Sequence, residues 1–399
     1  WQMAEHQSAH PQFRDEVVAW LEANCPPSMR TPGAEHDIVW GGRNGVFPSE
    51  DARLWLQRVL DKRWIAPAWP TQYGGAGLSN SDARIIKQEM KSLQCRVPLM
   101  SLGLHMMGPT IMEFGTEVQR LEHLPKIARG EIRWCQGYSE PGAGSDLASL
   151  QCKAVDAGDH YIVTGQKVWT SYADKSDFLF CLVRTDPAAL KHEGISVLLI
   201  DMALPGVSAR PIELISGASH FCETFLDSVR VPKSCLLGEL NKGWNVAKRM
   251  LQYERSMMSE VDSGGYDPDV IALARRYLGA DGNGRLMEPV LRDQLVVSEM
   301  ERAAIALTGE RIRTEALAGG PSPASSVLKW KLSEQLKQRY ELLITVLGAR
   351  GIGWEGEGFT EEELRIAREW AFARIQSIGG GTTEIQLNII AKRVLGLPD

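Results

Sequence analysis

The sequence contains no run of about 18 consecutive apolar residues, so it offers no candidate for a membrane-spanning helix. Its opening stretch, Trp1 to Pro11, is polar and lacks the basic-then-apolar pattern of a secretion signal. Seven cysteines (Cys25, Cys95, Cys135, Cys152, Cys181, Cys222 and Cys235) are odd in number and scattered, with no C-x-x-C pair. That usage fits a reducing compartment: a bacterial-type cytoplasm is expected, with a mitochondrial matrix as the alternative. The eight histidines form neither H-E-x-x-H nor a His/Cys cluster, so no metal site is expected. An excess of positive charge is also missing. Against 44 Lys and Arg stand 50 Asp and Glu, a net charge of -6. Such a chain is not expected to coat nucleic acid or an anionic membrane. There is no internal repeat and no low-complexity tract.

What is present is ordinary globular composition, 44% apolar and 24% charged, over 399 residues. That length exceeds one compact core and suggests two or three subdomains around one site. The texture changes twice. Phe13, Val17, Val18, Trp20 and Leu21, and then Leu54, Leu56, Val59 and Leu60, recur at helical spacing. After a Gly/Pro loop from Pro67, Asn80 or Ser81 is the expected N-cap of the next helix. From about residue 134 the period falls to two. His160–Thr164 and Lys167–Ser171, joined through Gly165, predict a hairpin. Phe178–Val183, Ile195–Ile200 and residues 221–232 predict further strands. After Gly243 the helical period returns. Val327, Leu328, Leu332, Leu336, Tyr340, Leu343 and Leu347 form one stripe, ended by Gly348, with loops expected at Asp281–Pro289 and Ala318–Pro323. The expected organisation is an N-terminal helical domain (1–133), a middle β domain (134–241) and a C-terminal helical domain (242–399).

The most informative stretch is Ser139-Glu140-Pro141-Gly142-Ala143-Gly144-Ser145-Asp146. Two closely spaced glycines let backbone approach a flat or charged ligand, and its serines add hydroxyls. Neither this run nor Gly348–Gly353 has the spacing and strand–helix context of a dinucleotide fingerprint.

Ser139–Asp146 closely resembles the T-E-P-G-A-G-S-D signature of the acyl-CoA dehydrogenase family. Three more motifs follow in order. Gly165-Gln166-Lys167-Val168-Trp169-Thr170-Ser171 resembles G-x-K-x-W-I-T-N, and Phe225–Pro232 resembles F-x-D-V-x-V-P. Near the C-terminus, Gly381-Thr382-Thr383-Glu384-Ile385-Gln386 resembles G-T-x-x-I-Q. The resemblance implies an α+β fold with N-terminal helical domain, middle β-barrel-like domain and C-terminal helical bundle. It implies non-covalent FAD, with Tyr138, Ser139, Gly144, Ser145, Trp169, Thr170 and Ser171 around the flavin. Arg275, in Ala272-Leu273-Ala274-Arg275, is implied at the FAD pyrophosphate, and Thr382 and Glu384 are further FAD contacts. Ser145, Arg255 and Gly380 are implied on the thioester side.

Departures from the pattern carry as much information. The commonest members place a proton-abstracting Glu just before the C-terminal G-T, where this chain has Gly380. A second lineage, resembling isovaleryl-CoA dehydrogenase, carries the base in an L-E-R context on an early helix of the C-terminal domain. Here Leu251-Gln252-Tyr253-Glu254-Arg255 occupies that place, which makes Glu254 the expected base. Gly380 would keep a backbone N–H as a donor to the thioester carbonyl. The family's Q-x-x-G-G contact to FAD reads Thr345-Val346-Leu347-Gly348-Ala349, with Thr345 and Ala349 altered. The implied reaction is α,β-dehydrogenation of an acyl-CoA to the trans-2-enoyl-CoA, a β-oxidation step, with electrons passed to an electron-transfer flavoprotein. A homotetramer is implied, or a mixed tetramer. The alternatives are a flavin monooxygenase or oxidase on the same scaffold, or an FAD-poor subunit of a mixed tetramer.

Overall fold

Eleven α-helices and eight strands, linked by short 3-10 and π turns, make up residues 11–31, 33, 35–260, 268–317, 322 and 324–398, the residues described by a computed structural model. They divide into two compact units. The first runs to Pro211 and resumes from Phe221 to Met257; the second comprises Ile212–His220 and Met258 onward.

In the first unit, helices α1 (Pro11–Asn24), α2 (Glu50–Asp61), α3 (Asn80–Ser92), α4 (Gly108–Phe114) and α5 (Glu117–Ala128) precede the sheet. They bury Val17 and Leu21 of α1, and Trp55, Leu56 and Val59 of α2, at helical spacing. The N-cap of α3 is Ser79, one residue before the expected pair. Its hydroxyl accepts from Asp82 N–H at 3.1 Å, satisfying a first-turn donor.

The strands are β1 (Trp134–Gly137), β2 (Lys153–Asp156), β3 (His160–Ser171), β4 (Phe178–Arg184), β5 (Ile195–Asp201), β6 (Val207–Ile212), β7 (Phe221–Pro232) and β8 (Leu236–Leu237). They form one mixed sheet in the order β6-β7-β3-β2-β4-β5-β8, with β1 parallel to β4. Its two faces serve different cores. Phe180, Leu182, Val197 and Leu199 join the helical core, whereas Leu179, Cys181, Val183 and Leu198 pack with Val163, Val229 and Val231. Both faces being covered explains the unbroken apolar runs of β4 and β5. Helix α6 (Gly243–Glu260) adds Val246, Ala247 and Met250 to the helical core.

The expected hairpin at Gly165 is absent. Residues His160 to Ser171 are one strand, antiparallel to β7 from His160↔Pro232 to Ser171↔Phe221. Gly165 marks a close approach instead: a Cβ there would meet Cys152 at 2.7 Å. Gly165→Ala is therefore expected to lower stability by about 1–3 kcal/mol, read by urea unfolding, because backbone and a buried thiol must shift. An unchanged midpoint would show that the strands part freely.

The second unit holds α7 (Val270–Leu278), α8 (Pro289–Leu317), α9 (Ala324–Leu347), α10 (Glu361–Phe372) and α11 (Thr383–Ile389). Its core includes Val270, Leu273, Leu295, Leu343, Val346 and Ile366. Helix α9 departs from a simple apolar stripe. Leu332 is exposed, while Ser333, Gln335 and Arg339 are buried. The Ser333 hydroxyl donates to Gln376 O at 2.8 Å, and Arg339 donates to Glu299 and to Pro268 O, each at 2.8 Å. The helix ends at Gly348, with φ +56°. A loop follows α7 as expected between Asp281 and Pro289, while most of Ala318–Pro323 lies outside the described residues.

Glu363 ties this unit together. It accepts from Arg350, from the Tyr277 hydroxyl at 2.7 Å and from Thr360 N–H at 2.7 Å. The Arg350 guanidinium, more than any other partner, holds its carboxyl well below the usual carboxylate range. A depressed folded pKa contributes stability above the unfolded value, about 4.3, which is lost as pH falls through the folded one. The unit's melting temperature should therefore drop on acidification below about pH 4. Glu363→Gln should flatten that dependence, and an equally steep acid slope in the variant would refute the assignment.

Candidate functional site

Strand β1 delivers Tyr138 and Ser139 to the start of the Ser139–Asp146 loop. The main chain joins the neighbouring strand there, Val168 N–H donating to Ser139 O at 2.9 Å. Glu140 and Ala143 exchange two backbone hydrogen bonds, at 2.9 and 3.0 Å, which closes a tight turn. A Cβ added at Gly142 or Gly144 would meet nothing within 4 Å, so the outer side of this turn is open to an incoming group. Ser145 is exposed, and Asp146 pairs with Lys191.

Beneath the turn lies a buried ion pair that sequence reasoning missed. Lys167 is completely buried, and its Nζ reaches Glu140 Oε1 at 2.7 Å and Tyr138 O at 3.2 Å. The Glu140 carboxylate also accepts from Gln151 N–H at 2.6 Å and Cys152 N–H at 2.9 Å. A buried charge persists only when paired and hydrogen-bonded, and this one is. The available signal was a Lys within an apolar strand and a Glu in a Gly-rich turn, both inside the quoted motifs.

On β3 the strand register shifts between Lys167 and Thr170. This bulge breaks the alternation that sequence periodicity assumes. Lys167 and Thr170 both point inward, and Trp169, at φ +59°, is turned out to 52% exposure. Trp169 meets Phe221 edge-on, with ring centroids 6.1 Å apart. Thr170 is fully buried, yet its Oγ1 has no hydrogen-bond partner. An orphan hydroxyl, an outward indole and an open glycine turn, with Ser171 half-buried next in line, fit a planar heteroaromatic ring edged with hydrogen-bonding atoms.

Helix α6 carries Glu254, the expected base. Val246, Ala247, Met250, Glu254 and Met257 recur at helical spacing. The apolar members pack into the helical core and Glu254 is half-buried. Tyr138 packs against this helix, its hydroxyl donating to Ala247 O at 3.5 Å. Burial first, and then the Glu254 carboxylate, raises the Tyr138 phenol well above its ordinary range. Glu254 thus lies near enough to Tyr138 for its charge to be felt there. Arg255 continues the helix, and its side chain lies outside the described residues.

In the second unit, Arg275 is exposed on α7, whose first turn is capped by the Asp269 carboxylate. Gly380, Thr382 and Glu384 cluster at the start of α11. Thr382 is the N-cap, its hydroxyl accepting from Ile385 N–H at 3.3 Å. Its own backbone N–H, and then the Thr382 hydroxyl, lower the Glu384 pKa. Gly380 has φ +65°, a left-handed backbone that disfavours any side chain.

Three family models match: acyl-CoA dehydrogenase N-terminal domain over residues 7–131, middle domain over 135–229 and C-terminal domain over 241–395. The chain is 35% identical over 403 aligned positions to acyl-CoA dehydrogenase IpdE1 of Mycobacterium tuberculosis, covering 97% of each protein. Among solved structures it is similar to the Tcur3481-Tcur3483 steroid ACAD, with 28% identity, TM-score 0.77 and full coverage of both chains. The ChsE4-ChsE5 complex from Mycobacterium tuberculosis is comparable, at 28% identity, TM-score 0.73 and full coverage of both.

Proposed function

This chain belongs to the acyl-CoA dehydrogenase family, whose members are flavoprotein oxidoreductases, and we propose that it dehydrogenates an acyl-CoA thioester to the trans-2-enoyl-CoA with Glu254 as the base. The observation that carries this reading is the half-buried Glu254 in line with the buried residues of α6, its charge felt by Tyr138. A carboxylate taken out of water becomes a stronger base, which an α-proton beside a thioester carbonyl requires.

The other residues bind and orient. FAD, when bound, accepts the hydride leaving Cβ. The Thr170 and Ser171 hydroxyls and the Tyr138–Ser139 backbone are assigned to its ring edge, Trp169 to its flank, and Gly144 and Ser145 to the side nearer the thioester. The Glu140–Lys167 pair keeps that turn in place. In the second unit we assign Arg275, Thr382 and Glu384 to FAD. Gly380 has no carboxylate to offer but keeps a backbone N–H as a donor for the thioester carbonyl, whose developing negative charge such a donor stabilises. Electron-transfer flavoprotein is the proposed acceptor. The similarity to a steroid ACAD supports a bulky, steroid-derived acyl group over a short straight chain. A screen of steroid-side-chain and straight-chain acyl-CoA thioesters with an artificial electron acceptor tests this. Turnover confined to short straight chains would overturn the substrate class.

A mixed assembly is the second reading. Thr345 and Ala349 depart from the family's FAD contact, and similar chains come from paired complexes. Protein purified alone should release FAD on acid precipitation and scatter light at about four times the chain mass. A colourless protein that takes up FAD only with a second, different chain would move the proposal to a mixed tetramer.

A further inference from the structure

Two helices of the first unit end side by side, each on a cysteine. The last turn of α1 runs into Cys25, whose N–H donates to Leu21 O at 2.9 Å before Pro26 and Pro27 stop the helix. Helix α3 turns back through Gln94, at φ +55°, and Cys95 N–H closes on Met90 O at 2.8 Å. One carbonyl joins the two ends. Met29 O accepts from Cys25 Sγ at 3.9 Å and from Arg96 N–H at 2.8 Å. Trp55 Nε1 donates to Arg96 O at 2.9 Å, and Arg96 Nε donates to Thr31 O at 2.9 Å, which fastens the Cys95–Arg96 backbone beside Cys25. The two thiols are in contact there, Cys95 donating to Cys25. Cys25 is 3% exposed and Cys95 is half-buried.

The surroundings distinguish the two sulfurs. Arg30 donates to Leu21 O at 3.1 Å, while its buried Nε–H has no hydrogen-bond partner. Arg58 reaches the same helix end at Asn24 O. The donation from Cys95, and then the Arg30 and Arg58 guanidiniums, hold the Cys25 thiol below its ordinary range against the opposing effect of burial. Cys95, the donor, is raised. A sulfur poised to ionise beside cations, with a protonated thiol in contact, suits reaction with a small hydroperoxide followed by disulfide closure. The other contacting pair, Cys152 and Cys181, is 1% and 0% exposed within the second core of the sheet, where no oxidant reaches. We propose that Cys25 and Cys95 are a redox modification site, at which hydrogen peroxide closes a disulfide that clamps the end of α1 to the end of α3. The Cys25 thiolate attacks one peroxide oxygen, the O–O bond breaks, and the departing hydroxide takes up the Cys25 proton as water. Cys25 is left as a sulfenic acid. The Cys95 sulfur then attacks the Cys25 sulfur, the S–O bond breaks, and the hydroxide leaves as water with the Cys95 proton. Two thiols are oxidised by two electrons, and the peroxide is reduced to two waters.

The test uses the intact, flavin-loaded protein, treated with hydrogen peroxide, alkylated and digested without reductant. A linked peptide pair joining Cys25 to Cys95 should appear, two hydrogens lighter than the separate peptides, and should vanish after dithiothreitol. The melting temperature should rise by about 5 °C on oxidation and fall back on reduction, because a cross-link restricts the unfolded chain. Cys95→Ser should stop at a Cys25 sulfenic acid that dimedone captures, and Cys25→Ser should leave Cys95 a free thiol. Free thiols at both positions after a large excess of peroxide would overturn the proposal, as would a Cys152–Cys181 link in place of this one. Dimedone capture at Cys95 instead of Cys25 would overturn the order of attack. A Cys25–Cys95 link with an unchanged melting temperature would overturn the clamp. The wild-type digest and melting curves decide the matter even if neither variant folds.

Discussion

Glu254→Gln should slow reduction of the bound flavin by an acyl-CoA thioester by about 10²–10⁴-fold, the usual loss when a positioned general base is deleted. The amide keeps the size of the side chain and an oxygen acceptor but has no basic oxygen. Neither the packing of Val246, Ala247 and Met250 nor the Tyr138–Ala247 hydrogen bond involves the Glu254 side chain, so helix α6 should stay in place. FAD content and thioester affinity should be nearly unchanged, which separates a chemical loss from a folding loss. Anaerobic stopped-flow absorbance reads the rate directly, and a variant as fast as wild type would remove Glu254 from the mechanism. Rescue by Gly380→Glu is a harder experiment than the motif comparison suggests. At φ +65° a glutamate must adopt a strained left-handed backbone, so rescue should be weak.

Lys167→Met should be the most destabilising of the conservative changes near the proposed site. Removing one partner of a buried ion pair leaves the other charge uncompensated, at a cost of about 3–5 kcal/mol. Here Glu140 would keep its Gln151 and Cys152 donors but lose Lys167 Nζ, and Tyr138 O would lose a donor too. The Ser139–Asp146 turn should loosen and FAD should dissociate more readily. Urea unfolding and flavin retention on gel filtration give the two readouts. Adding Glu140→Gln to Lys167→Met should recover part of the loss, since the orphaned charge is then gone. Fully additive losses would mean that the two residues act independently.

Elements with one simple period were legible in the sequence. The buried runs of β4 and β5, the long β7 and the Gly348 helix end follow from local pattern alone. The family resemblance rested on four ordered motifs, and the fold agrees with it. What local pattern could not reveal depends on partners distant in sequence. Gly165 reads as a turn residue until Cys152 is seen against it. The β3 bulge exchanges the inward positions of Trp169 and Thr170, and no periodicity encodes that. Lys167 reads as a strand's polar face until Glu140, 27 residues away, is found beneath the turn. Glu254 is intermediate: its helix was expected, but its place in line with the buried residues of α6 shows only once Val246, Ala247 and Met250 are packed.

Anaerobic titration of the purified wild-type protein with a steroid-side-chain acyl-CoA shows whether Glu254 and a bound FAD together oxidise an acyl-CoA thioester. The flavin absorbance should bleach stoichiometrically, and the thioester recovered should be lighter by two hydrogens, with the unsaturation between Cα and Cβ. A flavin-loaded protein whose absorbance and thioester both stay unchanged, across steroid-derived and straight-chain substrates alike, would contradict it.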